Sequence, residues 1–571
     1  MKKRTAWILV AAVAAVAMGA AAVGVVALLL RGRGGAPAIG SSKTYLVLDL
    51  DGSIPEQPAS DFGSLFERRP PPLRALVESL DRAGRDPSVQ ALVVRVGMLP
   101  DAGWAKVQEL RAAITRFRST GKPAYAHIEL CSNKEYYLAT ACTKIYAIPS
   151  AILDVSGLAA EITFLRGSLD KLGVQAQFEG VGKYKNAPNQ FTETGFTAPH
   201  REQMDAMLDS LYAEYLGAIA KGRGRTVDEA REVIDGGPYD AQEAKRVGLV
   251  DELRYRDQIE QDIKDATRTS PAHYLRAARP FFDSRPRIAL VYAVGDIIPG
   301  ASQHGPFGGE YAGSDTVAAA FRQAREDSNI RAVVFRVDSP GGFGPAADVM
   351  WREVAVTKKR KPVIVSMGDY AASGGYYVSM GADYVLAQPG TLTGSIGVFS
   401  GKFNLRGFYE KLGMTKELLS RGKNSLIYTE YRAWNEAERA RIQTMNRAFY
   451  DDFVKRASEG RKKRFEEIDS VAQGRVWTGA EALPHGLVDK LGGFWDAVEV
   501  AKQRAGIAKG QDVALVVLPA RKGIFETLME RQEEGQLEAA LPPDLRASLR
   551  FVALLRDGAP MARLPFELRV R

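Results

Sequence analysis

Short runs of branched apolar residues alternate along the chain with longer segments that place apolar residues at helical spacing. The runs that predict buried strands are 45–50, 91–96, 288–293, 332–337 and 363–367. The amphipathic segments 102–119 and 345–357 predict helices. Strands that alternate with helices are typical of an α/β fold built of crossover units.

The chain repeats itself at a spacing of 240 residues. Lys171-Leu172-Gly173 recurs as Lys411-Leu412-Gly413, and Gly182-Lys183 recurs as Gly422-Lys423. The other collinear pairs are Tyr136-Tyr137 with Tyr376-Tyr377, Pro149 with Pro389, and Gly157 with Gly397. This set predicts two copies of one α/β unit, at 43–265 and 287–505, joined by a connector at 266–286.

The N-terminal segment has the pattern of a membrane anchor. A basic segment at 1–5 precedes an uncharged stretch at 6–30, which is long enough to cross a lipid bilayer. We expect an uncleaved anchor, although small residues at 18–22 leave a cleaved signal peptide open. Basic residues flank both ends, and the N-terminal cluster favours an orientation with the soluble mass outside the cytoplasm. A linker at 31–42 follows.

Composition narrows the function classes. The 571 residues carry 77 basic and 68 acidic side chains, a net charge of +9, and no long basic run with interleaved aromatic residues. We therefore expect no nucleic-acid partner. Nearness to an anionic membrane surface explains the small excess of basic residues as well as nucleic-acid binding would. Cys131 and Cys142 are too few for a disulfide framework; two buried thiols and one local disulfide both remain open. No cysteine–histidine cluster has metal-ligand spacing, so no metal site is expected.

The C-terminal extension at 506–571 carries no motif that suggests a function. Its charges are evenly mixed, and a double proline at 542–543 interrupts it. The run 564–570 predicts an edge strand or a packing arm.

A serine in a glycine-rich turn is the candidate nucleophile. Ser373 stands in Ala371-Ala372-Ser373-Gly374-Gly375, directly after a predicted strand, and a tight strand-to-helix turn points such a hydroxyl outward. The N–H of Gly374 is then a candidate donor to an oxyanion. Asp338-Ser339-Pro340-Gly341-Gly342 follows another predicted strand, and Gly342 is the candidate second donor.

The chain offers poor support for a histidine base. Its five histidines are His127, His200, His273, His304 and His485. None lies between Ser373 and the end of the following βα unit, and His485 stands in a predicted turn. Lysine is the main remaining choice, because desolvation can lower the pKa of its amine until the neutral form is present.

The repeat indicates which lysine. Asn133 stands in the first copy where Ser373 stands in the second, and Met98-Leu99-Pro100-Asp101 replaces the Ser-Pro-Gly-Gly loop. Conversely, Lys185 in the first copy corresponds to Ser425 in the second. Each copy holds one group that the other lacks, so we expect a site that is split between the two copies.

These residues resemble a known family. Ala372–Tyr376, Thr391–Gly397 and Gly182–Lys185 together resemble signal peptide peptidase A (protease IV), in its long duplicated form. The resemblance covers nearly the whole chain after the anchor. It implies two tandem repeats similar in fold to Clp protease and crotonase, behind an N-terminal transmembrane helix. It also implies a Ser/Lys dyad of Ser373 and Lys185, with Ser395 holding the lysine amine.

The resemblance further implies a function and a setting. The expected activity is hydrolysis of cleaved signal peptides and other hydrophobic peptides, without a cofactor. The expected setting is a bacterial inner membrane, crossed once by residues 6–30, with the catalytic part on the periplasmic side. Related enzymes form rings, so a homotetramer is expected. Two other readings stay open: a catalytically silent membrane scaffold, and a crotonase-like acyl-CoA enzyme, against which the anchor and the serine loop argue.

Overall fold

A computed structural model describes residues 43–57, 70–277, 283–304, 309–519 and 560–563. The predicted anchor at 6–30, the linker at 31–42 and the run at 564–570 lie outside these residues. Within the described ranges, no helix combines the length and the apolar character needed to cross a membrane.

The first repeat is built on a seven-stranded, mainly parallel sheet. Its strands are β1 (Thr44–Leu50), β2 (Val89–Val96), β3 (Ala124–Ser132), β4 (Lys144–Asp154), β6 (Tyr239–Asp240), β7 (Glu252–Leu253) and β8 (Thr267–Thr269). The order is β6-β4-β3-β2-β1-β8, with β7 also paired to β4. Its central strands are apolar along most of their length because helices cover both faces of a parallel sheet.

Ten helices belong to this part of the chain as described. They are α1 (Leu73–Arg85), α2 (Trp104–Arg118), α3 (Asn133–Ala139), α4 (Arg166–Leu172), α5 (Asn189–Thr192), α6 (Ala198–Arg223), α7 (Val227–Asp235), α8 (Ala241–Arg246), α9 (Arg256–Asp262) and α10 (Pro271–Ala277).

The second repeat contains the equivalent sheet, with eight strands. They are β9 (Arg287–Val294), β13 (Ile330–Ser339), β15 (Val363–Ala372), β16 (Tyr384–Ala387), β17 (Leu392–Gly394), β19 (Val476–Thr478), β20 (Lys490–Leu491) and β21 (Ala514–Leu518). The order is β19-β17-β15-β13-β9-β21, and β16 joins β15 to β20. The helices are α11 (Ser314–Glu326), α12 (Gly344–Thr357), α13 (Gly374–Ser379), α14 (Arg406–Lys411), α15 (Glu436–Arg461), α16 (Phe465–Val471), α17 (Gly479–Ala482) and α18 (Phe494–Arg504).

A third sheet joins the two repeats. Its strands are β5 (Gln175–Val181), β10 (Asp296–Ile298), β11 (Gln303–His304), β12 (Glu310–Gly313), β14 (Gly341–Phe343), β18 (Val398–Asn404) and β22 (Met561–Arg563), in the order β11-β12-β10-β14-β22-β18-β5. β5 of the first repeat pairs antiparallel with β18 of the second, from Val181 opposite Val398 to Gln175 opposite Asn404. The chain that leaves β5 therefore runs beside the chain that enters β18.

The predicted α/β fold with two tandem repeats is confirmed, as are the strands and helices predicted from the apolar pattern. The predicted strand at 363–367 continues to Ala372, and the predicted helix at 102–119 runs from Trp104 to Arg118. Cys131 and Cys142 are both free and buried, which decides between the two alternatives for this pair.

Candidate active site

Ser373 stands between β15 and α13 with a strained backbone. Its φ of 55° is in the left-handed region that residues with a β-carbon seldom adopt. Two hydrogen bonds hold it there: its N–H donates to the carbonyl oxygen of Gly394 at 2.8 Å, and its carbonyl oxygen accepts from Tyr377 N–H at 2.8 Å. The strand-to-helix turn expected at this serine is therefore present, and the residue is fully buried.

The amine of Lys185 lies against this serine. Lys185 Nζ is 2.7 Å from Ser373 Oγ, 2.9 Å from Ser395 Oγ and 3.1 Å from the carbonyl oxygen of Ser395. Lys185 lies in the loop between β5 and α5, and Ser395 lies just before β18. The pairing of β5 with β18 thus brings together three residues that the sequence separates by 188 and 210 positions.

Glycines allow this close approach. A side chain at Gly474 would place its β-carbon 2.6 Å from Lys185 N, and one at Gly182 would lie 2.4 Å from the carbonyl carbon of Gln473. Both glycines also have a positive φ. A β-carbon at Gly397 would lie 3.1 Å from Lys185 Cδ. Gly474 was missed in the sequence, because a glycine before a short strand has no distinguishing local pattern.

Burial changes the proton affinity of the lysine. Only 6% of Lys185 is exposed, and this desolvation lowers the pKa of its amine well below the ordinary value. The three contacts of the amine are neutral hydroxyl and carbonyl groups, which do not oppose the shift as a carboxylate would. A neutral amine has a lone pair and can take a proton from a hydroxyl at 2.7 Å.

The two predicted oxyanion donors lie near each other. A β-carbon on Gly374 would stand 3.1 Å from the amide nitrogen of Gly342 and 2.9 Å from the carbonyl oxygen of Ala562 in β22. Gly341 approaches the same point, since its β-carbon would lie 2.7 Å from Gly374 N and 2.0 Å from Ala562 O. The glycines therefore leave room for a peptide carbonyl beside their N–H groups.

A buried ion cluster behind the site was not foreseen. Lys106 of the first repeat lies 3.0 Å from Asp338, 3.5 Å from Asp369 and 3.8 Å from Glu56. Asp369 also accepts from the backbone N–H groups of Gly103 and Lys106, both at 2.9 Å. Asp338 precedes the glycine loop, residues 339–342, and Asp369 precedes the serine turn, residues 371–375. The cluster therefore fixes both segments to α2.

Arginine extends the same cluster. Arg336 contacts Glu56 at 2.9 Å and Glu109 at 3.0 Å, and its guanidinium donates to Ser366 Oγ at 2.8 Å. Burial raises the pKa of Glu109, against the opposing charge of Arg336. In the sequence, Arg336 stands out as a charged residue inside an apolar strand, but nothing in the local pattern identifies Glu56 and Glu109 as its partners.

Over the described residues, no group of three or more histidine, cysteine, aspartate or glutamate side chains is arranged to hold a metal ion. The chemistry available at the site is that of two serine hydroxyls, one buried amine and backbone N–H donors.

Comparison with known proteins places the chain in a family. The model of peptidase family S49 matches the chain twice, at residues 116–269 and 355–508. The chloroplastic serine protease SPPA of Arabidopsis thaliana is 34% identical over 490 residues, which are 83% of this chain and 71% of that protein. Protease 4 of Salmonella typhi is 30% identical over 537 residues, 89% of this chain and 85% of that protein.

Solved structures also align with part of the chain. One is a membrane-bound stomatin-specific protease, 15% identical, with 42% of this chain and 100% of that chain covered at a TM-score of 0.27.

Proposed function

Because the chain belongs to peptidase family S49, and is therefore a serine peptidase built of two tandem family repeats, we propose that Ser373 is its nucleophile and Lys185 its general base. The observation that carries this proposal is the 2.7 Å separation of Lys185 Nζ and Ser373 Oγ, both in buried residues. A lysine that acts as a base near neutral pH needs a pKa about 2–3 units below its ordinary value. Burial shifts the pKa of Lys185 in that direction.

The proposed reaction is acyl transfer to serine. The amine of Lys185 takes the proton of Ser373 Oγ while that oxygen attacks the carbonyl carbon of a peptide bond. The N–H groups of Gly374 and Gly342 donate to the oxyanion. Lys185 then gives the proton to the leaving amine as the C–N bond breaks, and a water molecule hydrolyses the acyl-enzyme by the same route.

Ser395 is proposed as the residue that positions the lysine. Its hydroxyl and carbonyl oxygens lie 2.9 Å and 3.1 Å from Lys185 Nζ, so two N–H bonds of the neutral amine have acceptors. The lone pair is then directed at the remaining neighbour, the Ser373 hydroxyl. Ser395 has a φ of 51°, and its N–H donates to the carbonyl oxygen of Arg475 at 2.7 Å, which fixes its backbone.

The proposed substrates are hydrophobic peptides, with cleaved signal peptides as the class that the resemblance implies. Apolar side chains beside the glycine loop support this choice. They form a cluster that contains Ala187, Phe191, Phe399 and Met561, with Phe178, Phe343 and Phe403 packed against it. No cofactor enters the proposed reaction.

The proposed setting is the bacterial inner membrane. Residues 6–30 would anchor the enzyme in the bilayer, with its catalytic part on the periplasmic side, and four chains would assemble. Removal of residues 1–42 should move the enzyme to the soluble fraction without loss of peptide hydrolysis, and light scattering of the detergent-solubilised full chain should give the mass of a tetramer.

A fluorophosphonate probe tests the chemistry. The wild-type chain should be labelled at Ser373, and Ser373→Ala and Lys185→Ala should each lose both labelling and peptide hydrolysis. Ser425→Ala is the matched control, because this exposed serine is the counterpart of Lys185 in the second repeat. An Lys185→Ala chain with full activity would remove the lysine from the mechanism, and an unlabelled, folded wild-type chain would favour a silent scaffold.

A further inference from the structure

The C-terminal strand β22 fills a slot between two strands near the site. It pairs antiparallel with β14, where Gly342 faces Ala562, and antiparallel with β18, where Phe399 faces Met561. In the described sheet, β22 is the element that joins β14 to β18. An extended segment that adds to exposed strand edges is a common way for peptides to bind proteins. The slot therefore has the geometry of a peptide groove.

The register sets the carbonyl of Ala562 at the glycine loop. Gly344 N–H donates to Pro560 O at 3.0 Å, and residue pairs in an antiparallel ladder are hydrogen-bonded alternately. Gly342 and Ala562 form the next such pair, and Ala562 O also approaches Gly374. This inference rests on the proposed function. If Ser373 is the nucleophile, Ala562 occupies the position of the substrate residue whose carbonyl carbon Ser373 attacks. Arg563 then takes the place of the first residue of the leaving peptide.

The residue before Ala562 is Met561, and apolar contacts hold its side chain. Met561 is 1% exposed and belongs to the cluster with Phe191 and Phe399. The segment thus matches the groove by its backbone and by an apolar side chain, as a substrate would.

The side chain after the carbonyl has a different partner. Arg563 Nε lies 2.6 Å from Asp296 Oδ1, and Arg563 Nη2 lies 3.3 Å from Asp296 Oδ2. The side chains of Arg563 and Asp296 are only 9% and 6% exposed. Asp296 begins β10, on the far side of β14, and Gly341 opposite Arg563 has no side chain in the way.

We propose that Asp296 is a specificity-determining residue, which selects arginine or lysine as the residue directly after the cleaved bond, and that Arg563 of the same chain occupies this place. A buried carboxylate requires a charged or hydrogen-bonding partner. When the C-terminal segment leaves the groove, a substrate with a basic residue at this position supplies that partner, and a neutral one does not. Arginine is preferred over lysine because its planar guanidinium matches a carboxylate with two parallel bonds.

Three matched fluorogenic peptides test the proposal on the full-length enzyme. They share the sequence Met-Ala and continue with arginine, glutamine or glutamate. The wild-type kcat/KM should be at least about tenfold higher for the arginine peptide than for the glutamine peptide, since a buried charge pair that loses one partner loses that much or more. The glutamate peptide should be the poorest. Asp296→Asn should bring the arginine and glutamine peptides to within about threefold of each other.

Two further variants keep the test sharp. Asp315→Asn, an exposed carboxylate on α11, is the matched control and should keep the wild-type ratio. Arg563→Gln should raise kcat/KM for all three peptides, because the segment then competes less well for the groove, and should keep the preference for arginine. A purely structural Asp296–Arg563 pair would instead lower all three rates equally in Asp296→Asn, with no change in ratio.

The outcomes separate this proposal from the proposed function. Fluorophosphonate labelling at Ser373 with an unchanged arginine-to-glutamine ratio in folded Asp296→Asn would overturn the specificity proposal alone. Loss of the preference for the arginine peptide in Arg563→Gln would also overturn the specificity proposal, because Asp296 is proposed to bind the basic residue of the substrate and not to depend on Arg563. A folded wild-type chain that neither labels nor cleaves would overturn the proposed function, and this inference with it.

Discussion

In the first repeat, the hydroxyl of Tyr136 donates to the carbonyl oxygen of Leu249 at 2.8 Å; in the second, Tyr376 donates to Leu487 at 3.1 Å. Each pair links the helix that follows the third parallel strand to the Gly-Leu-Val-Asp turn. The two repeats have kept this internal support at equivalent positions.

An ion pair repeats in the same way. Arg223 contacts Asp251 at 3.0 Å, and Arg461 contacts Asp489 at 2.5 Å. Both arginines lie at the C-terminal end of the long helix of their repeat, α6 or α15, and both aspartates close the equivalent turn. What the repeats share is therefore a set of contacts that stabilise the fold.

The two repeats differ at the position of Ser373, the proposed nucleophile. At the position of Ser373, the first repeat has Asn133, whose Oδ1 accepts from Tyr215 OH at 2.9 Å and from Gly157 N–H at 3.1 Å. Its Nδ2 donates to the carbonyl oxygen of Gly157 at 2.8 Å. The amide side chain closes the position with hydrogen bonds. The difference teaches that the first repeat fills this position with a hydrogen-bonded amide and places Lys185 beside the serine of the second repeat.

The largest expected effect comes from removing that contribution. Lys185→Met should lower kcat/KM by about 10²–10⁴-fold, the range of general acid–base catalysis, because no other amine contacts Ser373 Oγ among the described residues. Lys183→Met, two residues away and exposed, is the control and should be near wild type. Equal losses in both variants would mean that the loop, and not the amine, is what matters.

The ionisation of the same amine predicts the pH dependence. Since burial lowers the pKa of Lys185, kcat/KM should rise with pH along a limb centred well below about 10.4. Between the lowered pKa and about 10.4, the unfolded chain binds a proton that the folded chain does not, so stability should rise with pH in that window. The free energy of unfolding, measured by urea at several pH values across the window, should rise less steeply with pH in Lys185→Met than in the wild type. The same dependence of unfolding free energy on pH in Lys185→Met and in the wild type would contradict a neutral lysine in the folded chain.

The buried ion cluster around Lys106, which links the two repeats, should affect stability. Lys106→Met leaves Asp338 and Asp369 as buried carboxylates without their shared cation, which should cost about 3–5 kcal/mol of unfolding free energy. Arg95→Gln, which removes more exposed ion pairs within the first repeat, should cost at most about 1 kcal/mol. Similar costs in urea unfolding would show that the cluster does not hold the repeats together.

A smaller effect is expected at Ser395. Ser395→Ala removes one acceptor from the lysine amine and should lower kcat/KM by about tenfold, with the rising pH limb displaced. Ser425→Ala, exposed in the same repeat, serves as the comparison and should leave rate and pH profile unchanged. A rate loss without any change of pH profile would point to a structural role.

The smallest effect on catalysis is expected at Asn133, the position of the first repeat that corresponds to Ser373. Asn133→Ser makes the first repeat match the second at this position, yet it should add no fluorophosphonate label, because no lysine corresponding to Lys185 exists in the second repeat. Stability should fall by about 1–3 kcal/mol, as Tyr215 and Gly157 lose an acceptor. A second labelled site in this variant would contradict the split of roles between the repeats.

The sequence alone determined which residues to compare. The spacing of 240 residues exposed the duplication, and the exchange of Ser373 for Asn133 and of Lys185 for Ser425 predicted the split site. These are local identities at a fixed offset, so they can be seen without coordinates. The apolar runs likewise predicted the strands, because a parallel sheet with both faces covered needs apolar residues along its length.

Only the tertiary structure decided how distant segments meet. Nothing in the local pattern of Gln175–Val181 shows that its partner is Val398–Asn404, and that pairing is what carries Lys185 to Ser373. The same holds for Lys106 with Asp338, and for Arg563 with Asp296. Strand pairing and buried charge compensation depend on which surfaces the folded chain brings together, whereas hydrophobic periodicity reports only how each segment faces its own surroundings.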